Sequence, residues 1–312
     1  MLHHQTPLFL HHRLSKERNQ NIYLKMDCYQ PSGSFKIRGI GHLCTQQAQK
    51  GTKGFVSSSG GNAGLAVAYS GKRLGLPVTI IVPSTTPEHV REKMRILEAH
   101  VLEHGNVWDE SDIFARDYAK THQCSYIHPF DDPAIWTGHS TLIDELKTQG
   151  PKPDLIVCSV GGGGLLCGIV EGLWNHNWSD VPVMAVETCG AASLHASVQA
   201  GQLISIDSIT SIAKTLGARK VASKALEWTK NHPITCVQVS DAQTIQACIA
   251  LLNEQRVLVE PACSASYCVL SSRHPLVDQA QNIVIVICGG SGITIDMLQE
   301  WSLSPKTQHN SF

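Results

Sequence analysis

The chain has 312 residues, 42% hydrophobic and 16% charged, with 25 Lys and Arg against 26 Asp and Glu for a formal net charge of -1. That balance lacks the basic excess by which nucleic acid or an anionic membrane is held, and no apolar run approaches the roughly 20 residues of a membrane helix. The length accommodates two ordinary α/β domains with a cleft between them, so the expected partner is a small molecule.

From the N-terminus, MLHHQTPLFLHHRLSKER offers too short an apolar stretch for a secretory signal, which predicts a cytoplasmic protein. The 11 cysteines are odd in number and several lie inside apolar runs such as DLIVCSV, so they read as buried reduced thiols. The pairs His3-His4 and His11-His12 have no acidic or cysteine partner nearby and read as an exposed polar terminus. NIYLKM, ending at Met26, is strand-like and could join either of two sheets.

PSGSFKIRG follows, placing Lys36 in the first turn of an expected helix. Short β-branched runs then predict strands over 54–58, 78–83, 101–104 and 125–128, separated by stretches with apolar residues at helical spacing, such as NAGLAVAYSGKRLGL. A helix-like stretch to Lys147 and the polar TQGPKPD lead into a second series. Its strands are predicted over 155–160, 183–187, 235–239 and 283–288, with helices beginning near Gly164, Asp241 and Ser291. Strand, glycine and helix repeated in this way predict parallel sheets covered by helices, here two doubly wound halves.

Three glycine-rich turns sit where such sheets bind ligands. SSSGGNAG, ending at Gly64, opens a helix whose first N–H groups could receive a carboxylate, although a tight capped turn would look the same. The four glycines Gly161 to Gly164 lose much backbone entropy on ordering, and a phosphate cradled by N–H groups is the usual reason for such a run. The same loop, with Glu187 at the end of the next strand, partly matches a dinucleotide fingerprint, but Cys167 stands where a glycine is required. ICGGSGI places Cys288 at the carboxyl end of a buried strand. His100-Val-Leu-Glu-His104 formally matches a zinc-protease pattern; as a strand it would separate the two histidines by about 13 Å, too far for one zinc. A Walker loop is absent. A lysine, a phosphate cradle, a carboxylate cradle and a polar atom for a ring nitrogen together describe a pyridoxal phosphate site.

PSGSFKIRG, SSSGGNAG, GGGG, VEPACSAS and CGG stand in the order and spacing of the fold-type II pyridoxal phosphate enzymes, and the chain most resembles their serine/threonine dehydratase family from Thr6 to about Asp296. The resemblance implies an α/β fold of the tryptophan synthase β type, two doubly wound open-sheet domains with the active site in the cleft. The small domain is expected over 30–132 and the large one over 1–29 and 133–312. It implies β-elimination of L-serine to pyruvate and ammonia, with L-threonine as a further substrate. Lys36 would carry the cofactor and act as catalytic base, and Phe35 would lie against the cofactor ring. Asn62 would face the cofactor's 3′-oxygen, Gly161, Gly162, Gly163, Gly164 and Leu165 its phosphate, and Cys288 its ring nitrogen. Ser59, Gly60, Asn62 and Ala63 would hold the substrate carboxylate. A monovalent (K+) or divalent cation would take Glu187 and backbone oxygens of Gly161, Ala191, Leu216 and Ala218. Related racemases carry serine at the position of Gly60, so racemisation should be weak. The resemblance further implies a homodimer, and the chain's end leaves no room for a regulatory domain. The alternatives are a nicotinamide-dependent oxidoreductase or another fold-type II enzyme, such as a weak racemase or a threonine-preferring deaminase.

Overall fold

Short runs of β-branched residues set the strands. In the computed structural model, which describes residues 1–303, these are β1 (Leu8–Leu10), β2 (Asn21–Lys25), β3 (Phe55–Ser57), β4 (Val78–Val82), β5 (His100–Glu103), β6 (Ser125–Tyr126), β7 (Leu155–Ser159), β8 (Val183–Thr188), β9 (Ile234–Val239) and β10 (Asn282–Val286). Residues 304–312 of the expected large domain lie outside the described residues.

The chain divides into two units. Unit 1 comprises Met1–His4 and Gln30–His139; unit 2 comprises Gln5–Tyr29 and the chain from Ser140 on. The second exchange falls inside the helix Pro133–Gln149.

Unit 1 holds a four-stranded sheet of order β5-β4-β3-β6, parallel throughout. Its central β3 is buried at every residue, while the edge β5 is exposed at both ends. Unit 2 holds a six-stranded sheet of order β1-β2-β10-β7-β8-β9, parallel except for the β1–β2 pair. NIYLKM therefore belongs to this second sheet. β7 and β8 are buried at every residue, because helices cover both faces of a parallel sheet, and they accordingly read as unbroken apolar runs.

Each sheet reverses its strand order once, between β3 and β6 in unit 1 and between β7 and β10 in unit 2. Ligands of open parallel sheets bind beyond the carboxyl ends of the strands at such a reversal. The loops leaving β3, β6, β7 and β10 are thereby marked out before any side chain is considered.

Unit 2 contains a fully buried lysine. Lys25 Nζ donates to Thr6 O (2.8 Å) and Gln149 Oε1 (2.7 Å) and pairs with Glu145, while Thr6 Oγ1 donates to Asp27 Oδ1 (2.7 Å). The N-terminal segment is held to the sheet by this group. It corrects the expected exposed terminus: His11 is 3% exposed, its Nε2 lying 2.9 Å from Tyr267 Oη, and the β1 strand and helix His12–Arg18 follow where no element was expected. The last helix begins at Ile295 rather than near Ser291.

Candidate active site

Lys36 is the first residue of the helix Lys36–Gln49, whose N-cap, Phe35, offers no capping side chain. Lys36 is half-buried; its Nζ donates to Pro129 O at 2.7 Å and lies 5.2 Å from the Phe35 ring centroid. Phe35 in turn tilts against His139 at 5.0 Å. The hydroxyls of Ser32 and Ser34, in the turn just before, are buried with no hydrogen-bond partner among the described residues. Buried hydroxyls left unpaired are costly unless a ligand meets them.

The Pro129 carbonyl is itself held. His128 Nδ1 accepts from Phe130 N (3.3 Å) and Asp131 N (2.8 Å), closing the turn that follows β6. Burial first, then the positive charges of Arg116 and Lys36, push the His128 pKa down to about 4, so the ring stays neutral and Nδ1 remains an acceptor.

The loop over 58–61 connects β3 to the helix Asn62–Leu74. Ser59 N donates to Ser57 Oγ (3.4 Å) and Ser59 Oγ accepts from Gly61 N (3.3 Å). A Cβ on Gly64 would lie 2.0 Å from Ser59 O, so this loop folds back on the helix only with glycine there. At Gly60 the limit is space: a Cβ would sit 3.0 Å from both Cγ2 and Oγ1 of Thr86. Asn62 and Ala63 occupy the helix's first turn, where backbone N–H groups have no intrahelical acceptor and face an anion readily.

In unit 2 the chain leaves β7 through Gly161–Gly163 into the helix Gly164–Asn175. Gly163 has φ 87°, and a Cβ on it would come within 2.6 Å of Ala225 Cβ; one on Gly161 would reach 3.0 Å from Leu216 Cα. Gly162 O accepts from Ala222 N at 3.0 Å. Leu165, in the first turn of that helix, is buried, and the backbone N–H groups of that turn have no intrahelical acceptor, as an anion site requires.

Cys288 follows β10 and is 6% exposed. Cys263 lies beside it and accepts from Gly289 N at 3.2 Å; burial, then the neighbouring Cys288, hold the Cys263 pKa well above the ordinary thiol value. Glu260 organises the turn beyond: Oε1 accepts from Gly292 N and Oε2 from Thr215 Oγ1, each at 2.6 Å. Its carboxylate fills the space a Cβ on Gly290 would need, 2.3 Å from Glu260 Cδ. Sequence reasoning passed over Glu260; the signal was an acidic residue ahead of Pro261 in an otherwise apolar, buried helix.

Glu187, near the end of β8, is fully buried and accepts from Leu194 N (2.8 Å) and His195 N (2.7 Å), one on each oxygen. Burial pushes its pKa up to about 7 against those two donors. Ala191 N donates to Thr188 O and Ala218 N to Leu216 O in the adjoining loops. Among the described residues no cluster of three or more His, Cys, Asp or Glu side chains is built to hold a metal. His100 and Glu103 belong to strand β5.

An amine beside an aromatic ring in unit 1, and in unit 2 a glycine turn at a helix N-terminus, are features that fit pyridoxal phosphate. The model of the pyridoxal-phosphate dependent enzymes matches residues 1–289. The chain belongs to that family, and pyridoxal phosphate is its cofactor. More particularly, it is 45% identical over 308 residues to the L-serine dehydratase/L-threonine deaminase of Mus musculus, covering 96% of this chain and 94% of the mouse protein. It is 43% identical over 305 residues to the L-serine dehydratase of Dictyostelium discoideum, covering 92% and 87%. The crystal structure of a fungal L-serine ammonia-lyase from Rhizomucor miehei superposes with a TM-score of 0.89 at 38% identity, covering 96% of this chain and 98% of that one.

Proposed function

We propose that this chain catalyses the β-elimination of L-serine to pyruvate and ammonia, and of L-threonine to 2-oxobutyrate. The observation that carries the reading is Lys36: a half-buried amine held by one carbonyl against an aromatic ring, in a family whose chemistry needs a lysine. The names of the mouse, Dictyostelium and Rhizomucor relatives support the substrate.

When bound, pyridoxal phosphate supplies the electron sink that acidifies the substrate's Cα–H and a phosphate able to protonate the departing hydroxyl. Lys36 Nζ would hold the cofactor covalently and would serve as the base for the substrate's α-proton. Ser59, Gly60, Asn62 and Ala63 orient the substrate by its carboxylate. Asn62 would also donate to the cofactor's 3′-oxygen, and Phe35 would pack against its ring. Backbone N–H groups of Gly161 to Gly164, with Leu165, hold the phosphate.

Cys288 would be the partner of the ring nitrogen. A thiol does not enforce a protonated ring as a carboxylate does, which favours elimination over transamination. Gly60 has no proton to deliver to the opposite face of Cα, so racemisation is weak. Glu187, a buried carboxylate that accepts from two backbone N–H groups, would be the centre of a cation site with carbonyls of Gly161, Ala191, Leu216 and Ala218. Free thiols at every described cysteine suit a reducing compartment, so we place the protein in the cytoplasm; the homodimer rests on the family resemblance alone. No helix among the described residues is long and apolar enough to cross a membrane.

Purified protein should carry the visible absorbance band of its cofactor, lose it on borohydride reduction and gain a stable mass adduct on the peptide containing Lys36. It should release pyruvate from L-serine, and Lys36→Ala should lower that rate by about 10³-fold or more. A colourless protein, or a variant that retains turnover, overturns the assignment.

A further inference from the structure

Asp112 lies in none of the motifs above, yet it joins two of them within unit 1. β3 and β6 run side by side, with Val56 paired to Tyr126, and their carboxyl ends lead into the 58–61 loop and the His128–Asp131 turn. The helix Trp108–Thr121 lays Asp112, 9% exposed, across those ends. Its Oδ1 accepts from Ser58 Oγ (2.7 Å) and from the Tyr126 hydroxyl; its Oδ2 accepts from Arg116 Nε (2.8 Å). The Arg116 guanidinium lies 4.2 Å from the Tyr126 ring centroid, and that ring meets His128 edge-on at 6.3 Å.

The carboxylate thus holds the residue before Ser59 and the strand end that leads through His128 to Pro129 O, the acceptor for Lys36 Nζ. Burial alone would raise the Asp112 pKa, but the donors Tyr126, Arg116 and Ser58 outweigh it and the pKa is lowered, so the group remains an anion. Bonds to an ionised acceptor are stronger and shorter than neutral ones, which suits a joint that must keep two loops in register.

We propose that Asp112 is a positioning residue that sets the spacing between the substrate-carboxylate loop and the turn that holds the catalytic lysine. The proposal rests on the dehydratase reading. It goes beyond that reading because Asp112 touches neither substrate nor cofactor in it. An error of an ångström in such a spacing is enough to weaken binding and catalysis strongly.

The test uses cofactor-loaded enzyme. Asp112→Ala should raise KM for L-serine by about 10- to 100-fold, the scale of a lost charge-assisted hydrogen bond, while kcat changes less. It should weaken inhibition by 3-hydroxypropanoate, which has the carboxylate but no amine to meet Lys36, by the same factor. The cofactor's absorbance band should be unchanged. Asp112→Asn, which keeps one acceptor oxygen, should recover part of the loss, and adding Ser58→Ala to Asp112→Ala should cost nothing further. Unchanged KM and inhibition in folded Asp112→Ala overturn the proposal, as does loss of the band. Should Asp112→Ala fail to fold, Ser58→Ala and Tyr126→Phe must each shift KM and inhibition in the same direction, and no shift in either overturns it. A loaded wild-type protein that releases no pyruvate sinks the dehydratase reading and this proposal together; an active wild type matched by Asp112→Ala sinks only the latter.

Discussion

His128 does its work as a neutral acceptor, and this makes its contribution to stability pH-dependent. Its pKa falls from 6.5 to about 4 on folding, through burial and then the charges of Arg116 and Lys36. Between those values the unfolded chain binds the extra proton, so stability rises with pH. The contribution is complete above pH 6.5 and is lost as pH falls toward 4; allowing for partial exposure, it is on the order of 2 kcal/mol. As pH falls from 7 to 4, wild type should therefore lose stability relative to His128→Asn by about 2 kcal/mol in thermal melts, because an Asn oxygen accepts the same backbone N–H groups without titrating. A constant gap over that range would show that the His128 proton is irrelevant. The glycine turns ending at Gly64 and Gly164 were legible as strand-to-helix turns, and Lys36 stands in the helix first turn expected of it; their roles toward a cofactor remain proposals. Asp112 and Glu260 were not legible: Asp112 with Arg116 four residues on looks like a solvent-facing helical pair. Its inward role depends on Ser58, which is 54 positions away in sequence.

At the scale of elements, the same contrast follows burial. β7, β8 and β10 could be read directly, since strands covered on both faces become runs of Val and Ile. The helix Pro261–Cys268 could not, because all eight of its residues are buried and periodicity has no polar face to mark. β1 was too short to show a period at all. The least legible feature was the joint that anchors it, Lys25 with Glu145, Thr6 and Gln149. Removing one charge from such a pair leaves the other buried and uncompensated, whereas replacing both with apolar groups does not. Glu145→Ala should cost about 3–5 kcal/mol, and the double variant Lys25→Met with Glu145→Leu should recover most of it, read from urea midpoints. Equal losses in the single and double variants would mean that packing, not charge, holds the N-terminal segment.

For the molecule as a whole, unit 1 interrupts unit 2, which takes its first two strands from before the interruption and the rest from after it. Two series of strands were legible in sequence; the passage between units, expected at 132/133, falls at His139 inside the continuous helix Pro133–Gln149, which carries no turn signal to mark the residue. Unit 1 carries Lys36 and Asn62, and unit 2 carries Gly161 to Gly164 and Cys288. A ligand that binds only the folded state stabilises it by about 2.7 kcal/mol at a hundredfold excess over Kd. Stripping the cofactor with hydroxylamine should therefore lower the melting temperature, and added pyridoxal phosphate should restore it in a concentration-dependent way. Amide exchange is the sharper readout. If the ligand assignments hold in both units, loading slows exchange at the start of the helix Lys36–Gln49 and around Gly161–Gly164 alike. Protection confined to the glycine loop would leave the phosphate assignment standing and remove that of Lys36; protection confined to the lysine helix would do the reverse.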